Sequence, residues 1–296
     1  MARDPFMEGF ETQRIEANGI KINVAVAGQG KPLLLLHGHP QTHIVWRKVA
    51  PAFLDAGYQL IAPDLRGYGD SDKPASDPRH ITYSKRTMAV DQIEVMRALG
   101  HARFSMIGHD RGGRVAHRLA LDHPNALEKM IVVDIAPTAT MYAQTDMEFA
   151  RRYFWWFFFI QPYDLPESLM LADTENFLRK HIDAQMAVKG SVEEEVIAEY
   201  FRCYNDPAGI HAVCEDYRAA AGIDLEYDEA DAGRKIETPL MAIWGNNGVV
   251  GQLFDVKKSW EEKATNVSGL GLDCGHSIPE ELPEEFAAAC LGFLEG

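Results

Sequence analysis

Cysteine is scarce in this chain, and the four present (Cys203, Cys214, Cys274 and Cys290) stand at no metal-binding or redox spacing. A disulfide scaffold and a thiolate metal site are therefore not expected, and reduced thiols in a cytoplasmic protein are. Long hydrophobic runs are missing as well. The densest, Tyr153–Ile160, falls far short of the ~20 apolar residues that span a bilayer. The opening Met-Ala-Arg-Asp-Pro lacks the apolar core of a signal peptide. Positive charge is in deficit: 29 basic against 44 acidic side chains leave a net charge of −15. That balance argues against a nucleic-acid partner or an anionic membrane surface. An anionic small molecule would also meet an unfavourable overall field unless arginines reversed it locally. No internal repeat and no low-complexity linker interrupts the 296 residues.

What is present alternates. Two runs with period-two patterning flank Ala17-Asn18-Gly19, a hairpin signal. Apolar runs at 33–36, 58–62, 103–107, 129–134, 239–244 and 266–272 read as strands, with helical spacing between them near 84–99, 252–264 and 283–293. Strand–helix alternation predicts an α/β fold with a mostly parallel central sheet and helices on both faces. The alternation lapses between 138 and 225, where the sequence is helical in character and rich in aromatics. The expected organisation is an α/β core from 1–137 and 226–296, interrupted by a helical cap at 138–225.

The chain is organised around Ser105-Met-Ile-Gly-His-Asp-Arg-Gly-Gly-Arg114. A short strand, a glycine-flanked central residue and a helix make the nucleophile-elbow pattern. Serine usually holds the centre, and here it is Asp110. Acyl transfer would need a hydroxyl or thiol there, whereas a carboxylate suits displacement at saturated carbon through an enzyme-bound ester. The plainer alternative is that Asp110 only caps the helix.

His276, after the last strand, occupies the place of a catalytic histidine. The loop after the strand at 239–244 reads Gly-Asn-Asn-Gly and offers no acid, so Asp134, at the end of the preceding strand, is expected to orient His276. Asp255 is the alternative. The main-chain N–H groups of His39 and Arg111 are expected to face the oxyanion of a tetrahedral intermediate. The segment Asp64–Ser71 reads as structural.

The segments His37–His43 with Trp46-Arg47, Gly108–His117, Val133–Thr138, Cys214–Arg218 and Asp273–His276 together resemble the haloacetate (fluoroacetate) dehalogenases of the α/β-hydrolase superfamily, across nearly the whole chain. In related haloalkane dehalogenases and epoxide hydrolases tryptophan usually follows the nucleophile; here Arg111 does. The resemblance implies that Arg111 and Arg114 bind the substrate carboxylate, a role suited to bidentate guanidinium chemistry. It also implies that Trp156, Tyr217 and the residue at position 155 receive the halide. That last position is a histidine in the family and Trp155 here, a donor that cannot be protonated. His39 stands where relatives often carry an apolar residue, and is expected near the same pocket.

The function this implies is hydrolysis of haloacetates to glycolate and halide. Asp110 attacks, and His276, oriented by Asp134, activates water, with no metal or cofactor. Activity should fall on the acid side of the histidine pKa. Defluorination is the most demanding case, since fluoride is the poorest leaving group. The resemblance further implies a homodimer. Two other functions remain open: an epoxide hydrolase using the same nucleophile, and a non-catalytic ligand receptor on the same fold.

Overall fold

The computed structural model describes all 296 residues. A two-residue strand, β1 (Ala2–Arg3), lies beside a hairpin of β2 (Glu11–Ala17) and β3 (Ile20–Ala27). Asn18 and Gly19 turn that hairpin with φ of 50° and 78°, the paired positive angles that an Asn-Gly turn supplies. The remaining strands are β4 (Lys31–Leu36), β5 (Tyr58–Pro63), β6 (Phe104–His109), β7 (Leu127–Val133), β8 (Leu240–Gly245) and β9 (Val267–Leu272). They form one sheet in the order β1-β2-β3-β5-β4-β6-β7-β8-β9. From β5 to β9 every neighbouring pair is parallel, while β3 joins β5 antiparallel.

Both faces are covered, which explains why β4 reads as an unbroken apolar run. Leu34 and Leu36 enter one core with Met106, Met130 and Val132. Leu33 and Leu35 enter the other with Ile107, Ile131 and Val133. All four leucines are fully buried, each worth roughly 1.5–3 kcal/mol. The first core packs under α2 (Lys85–Ala98) and α3 (Arg111–Asp122), and the second under α1 (Ala50–Asp55) and the C-terminal helix.

Eight helices separate β7 from β8: α4 (Thr138–Ala143), α5 (Met147–Arg152), α6 (Trp155–Phe158), α7 (Leu165–Ala172), α8 (Thr174–Gln185), α9 (Glu194–Tyr204), α10 (Pro207–Ala221) and α11 (Ile223–Ala230). The helical insertion thus continues to Ala230, through the expected boundary at 225. The single helix expected near 252–264 is two, α12 (Val249–Leu253) and α13 (Val256–Glu261), because Asp255 caps the second by accepting from Lys258 N at 3.1 Å. The chain ends in α14 (Ile278–Glu281) and α15 (Pro283–Glu295). No helix is long and apolar enough to cross a membrane.

The strand ladder fixes where chemistry can occur. Leu36 pairs with Gly108, His109 with Val133, and Val133 with Ile243, so β4, β6, β7 and β8 end level. The sheet also reverses its direction of growth between β4 and β6, the crevice where open α/β sheets bind ligands.

Candidate active site

Asp110 sits between β6 and α3 with φ 44° and ψ −111°, a backbone conformation that costs an L-residue about 1–3 kcal/mol. Tertiary bonds hold it there: its N–H donates to Val133 O at 3.1 Å and its carbonyl accepts from Arg114 N at 3.1 Å. Glycine lets α3 approach the sheet, since a Cβ on Gly112 would lie 2.5 Å from the carbonyl oxygen of Leu36. The loop after β4 crosses directly over the carboxylate. A Cβ on Gly38 would lie 2.6 Å from that of Asp110, and His39 N donates to Asp110 Oδ2 at 3.1 Å. The other amide expected at this position, that of Arg111, is not engaged by the Asp110 side chain, which makes no helix-capping bond.

Asp134, just past the end of β7, also takes a positive φ of 50°. Its Oδ1 accepts from Gly245 N at 2.9 Å and its Oδ2 meets His276 Nδ1 at 2.6 Å. Gly245, which ends β8 and opens the acid-free Gly-Asn-Asn-Gly stretch, therefore contributes the amide that anchors Asp134. Asp255 is spent as the cap of α13. His276 is fixed by its own N–H to Gln185 O at 2.9 Å and by His109 Nε2 on its carbonyl at 2.9 Å. Its Nε2 is buried without a partner. Burial by itself lowers the imidazole pKa, but the hydrogen bond and charge of Asp134, with the charge of Asp110, raise it above the ordinary value.

Arg111 and Arg114 are both buried, and each keeps one nitrogen free. Arg111 gives Nε and Nη2 to the cap residue Asp216 and lies over the ring of Tyr217, 4.0 Å from its centroid; Nη1 has no partner. Arg114 is held by neutral acceptors, Ala136 O at 3.3 Å, Thr138 Oγ1 at 2.8 Å and Met141 Sδ at 3.4 Å, and its Nε has no partner. No carboxylate reaches Arg114 at ion-pair distance, although its guanidinium stacks 4.6 Å from the ring centroid of Trp156. Burial would raise the pKa of Asp110, but the charges of His276, Arg111 and Arg114 outweigh it and hold Asp110 well below the carboxylate range.

The cap closes over these groups with aromatic rings. Trp156 and Tyr217 are buried, 6.5 Å apart by ring centroid, against the two arginines. Trp155 is only partly buried. It packs against Phe154 at 4.0 Å and His181 at 4.4 Å. It also borders a narrow cavity of about 70 Å³ that reaches His276 between Tyr153, Gln185, Met186 and Val249. A larger depression, about 710 Å³ beside His80, Glu167 and His211, contains none of these groups. No set of three or more His, Cys, Asp or Glu side chains is arranged to hold a metal ion.

Three residues here carry no sequence signal of their role. Asp216 lies inside the Cys214–Arg218 segment, but nothing in the sequence pairs it with Arg111. Tyr153 has a buried hydroxyl without a partner, and His181 enters from α8. The Asp64–Ser71 segment is a scaffold. Asp64 accepts from His43 N, His43 Nδ1, Asn23 Nδ2 and Asp70 N, and Ser71 Oγ donates back to Asp64 O. It also delivers Tyr68, whose hydroxyl donates to Asp216 at 2.7 Å.

A family profile described as the alpha/beta hydrolase fold matches residues 31–282. A fluoroacetate dehalogenase from Burkholderia sp. is 40% identical, over 97% of this chain and 94% of the relative. A soluble epoxide hydrolase from Corynebacterium sp. (strain C12) is 35% identical, over 94% of each chain. Among solved structures, one from Salmonella enterica described as a candidate acyltransferase is 55% identical, with a TM-score of 0.98 over 99% of this chain and 97% of that one.

Proposed function

The chain belongs to the α/β-hydrolase fold family, and within that family we propose that it hydrolyses the carbon–halogen bond of haloacetates, releasing glycolate and halide. One observation carries the choice of substrate. Arg114 is a buried guanidinium without a carboxylate partner, beside a nucleophilic carboxylate. Arg111 and Lys85 share Asp216, whereas Arg114 makes no ion pair, and the leading negative charge acting on it is that of Asp110. A substrate carboxylate supplies the missing anion, and the free Arg111 Nη1 and Arg114 Nε supply donors for it.

The steps follow from the geometry. Asp110 Oδ2 already accepts from His39 N, which leaves Oδ1 as the attacking atom. Oδ1 forms a bond to the α-carbon as the carbon–halogen bond breaks and its electron pair leaves with the halide. The free Nε2 of His276 then takes a proton from water, whose oxygen bonds to Asp110 Cγ. Negative charge develops on Oδ2, where the His39 amide already points. Cleavage of the bond between Cγ and the former Oδ1 expels an alkoxide that takes the proton back from His276 Nε2 to give glycolate, and the regenerated carboxyl of Asp110 loses one proton to solvent. Ester formation also removes the charge of Asp110 that favours imidazolium, so His276 becomes a competent base at the step that requires one.

An epoxide hydrolase is the second reading, favoured by the unpartnered Tyr153 hydroxyl and by the 35% identical relative. A neutral epoxide would bring Arg114 no carboxylate for its free Nε to bind. Acyl transfer lacks its usual nucleophile, since Asp110 stands where serine would be. A non-catalytic receptor would give no turnover.

The test is halide release from fluoro-, chloro- and bromoacetate by wild type, Asp110→Asn and His276→Ala. Wild type should release halide over many turnovers and Asp110→Asn none. His276→Ala should release one equivalent and retain a carboxymethyl ester on the Asp110 peptide, visible by mass. Release from no haloacetate, with hydrolysis of epoxides, would overturn the proposal in favour of the second reading.

A further inference from the structure

The cap holds a buried histidine that the motifs do not supply. His181, on α8, is 1% exposed, and neither ring nitrogen has a hydrogen-bond partner. Buried polar groups are nearly always paired, so an imidazole with both nitrogens unsatisfied calls for a physical reason. Its surroundings are aromatic: Trp155 at 4.4 Å, His39 at 4.6 Å, Phe177 at 6.2 Å and Phe159 at 6.3 Å between ring centroids. None of these offers it a bond. His39 ties the group to the reacting centre, because its amide holds Asp110 and its ring lies 5.9 Å from that of Tyr217. The hydroxyl of Tyr204 occupies His39 Nε2 at 2.8 Å, leaving His39 Nδ1 unpartnered as well. Three unpartnered nitrogen atoms therefore lie on two packed rings, one of whose residues holds Asp110 through its amide.

On the haloacetate reading, we propose that His181 contacts the substrate and donates its ring N–H to the departing halogen, supplying beside Trp155 the imidazole donor that position 155 lacks. The donor is neutral. Burial foremost, with the nearby His39 and His276, holds the ring well below the ordinary imidazole pKa, against the opposing charge of Asp110. A neutral imidazole carries one N–H and one acceptor nitrogen. It therefore stabilises the leaving group by a hydrogen bond without transferring a proton: the carbon–halogen electron pair goes to the halide, and the hydrogen stays on His181. Such a bond strengthens as charge concentrates on the halogen, so its contribution rises from bromide to chloride to fluoride.

That gradient is the test, because a purely structural residue would lower turnover of all three substrates alike. Wild type and His181→Phe, each checked for folding by circular dichroism, are assayed with bromo-, chloro- and fluoroacetate under saturating conditions. The variant should lose ~10-fold in kcat with chloroacetate, less with bromoacetate and more with fluoroacetate, consistent with removal of one preorganised donor. KM should stay within ~3-fold, since the arginines that bind the carboxylate are untouched. His181→Gln keeps an N–H donor and should recover most of the loss. If His181→Phe does not fold, His181→Met carries the same comparison with a flexible side chain that lacks a donor. Equal loss across the halogens, or none, overturns the role of His181 while leaving the haloacetate reading intact. Failure of wild type to release any halide overturns both.

Discussion

Arg111 and Asp216 meet in a two-pronged ion pair, Nε to Oδ2 at 2.9 Å and Nη2 to Oδ1 at 2.8 Å, with both side chains fully buried. The pair joins the first turn of α3, beside Asp110, to α10 of the cap. Asp216 also receives Lys85 Nζ and the hydroxyl of Tyr68. Burial would raise its pKa, but the charges of Arg111 and Lys85 outweigh that and hold it well below the carboxylate range. The same contact that fastens the cap to the core fixes the plane of the Arg111 guanidinium and leaves only Nη1 for a ligand.

Asp216→Ala would leave two buried cations without their shared partner. Breaking such a pair from one side costs about 3–5 kcal/mol, so the urea midpoint should fall clearly, with the m-value unchanged. Asp216→Asn, which keeps the shape and part of the bonding, should lose less. The sign with pH follows from the depressed pKa: the contribution of Asp216 is complete above its unfolded value and is lost only as pH falls through the lower folded one. A midpoint for Asp216→Ala equal to that of wild type would show that the latch is not structural.

Arg114→Gln separates charge recognition from the rest of the site. Its neutral neighbours, Ala136 O and Thr138 Oγ1, can accept from an amide, so folding should survive. The loss of a buried, charge-assisted contact should lower kcat/KM for chloroacetate by ~100-fold. Chloroacetamide, uncharged and of nearly the same shape, should be affected far less. Comparable losses on the two substrates would mean that Arg114 supports the packing of Trp156, over which it stacks, and does not read a carboxylate.

What the sequence made legible was local. Asn18-Gly19 specified its hairpin, the apolar run before Gly108 specified a strand, and Asp134 could be placed at the edge of the sheet because it closes another such run. The nucleophile elbow was readable because its backbone demands small residues at fixed offsets, as the close approach of Gly112 to Leu36 requires. Contacts made across the cap–core seam left no such trace. His181 lies on a helix whose spacing says only that one side is buried, and its neighbours His39 and Trp155 come from distant segments. The orientation of Trp155 toward His181 was equally hidden, since substitution at a family position fixes the residue and not the direction of its ring. The split between α12 and α13 turned on one capping aspartate, Asp255, inside a stretch whose periodicity looked continuous.

The pKa of His276 gives a direct test of the proposed hydrolysis step. Against the lowering effect of burial, Asp134 and then Asp110 favour the imidazolium, so in the resting protein His276 should titrate above its ordinary value near 6.5. Removing either negative charge removes part of that bias, and the titration should move to lower pH in both Asp134→Asn and Asp110→Asn, read by NMR of the ring protons. The two variants should then part in function. Asp110→Asn mimics the neutral side chain of the ester and lacks the nucleophile. Asp134→Asn retains the nucleophile but loses the acceptor that holds the proton on Nδ1, so hydrolysis of its ester should slow by ~1000-fold or more. If Asp110→Asn leaves the His276 titration where it stands in wild type, charge on the nucleophile does not govern the base. Ester formation would then not be the event that readies His276 for water.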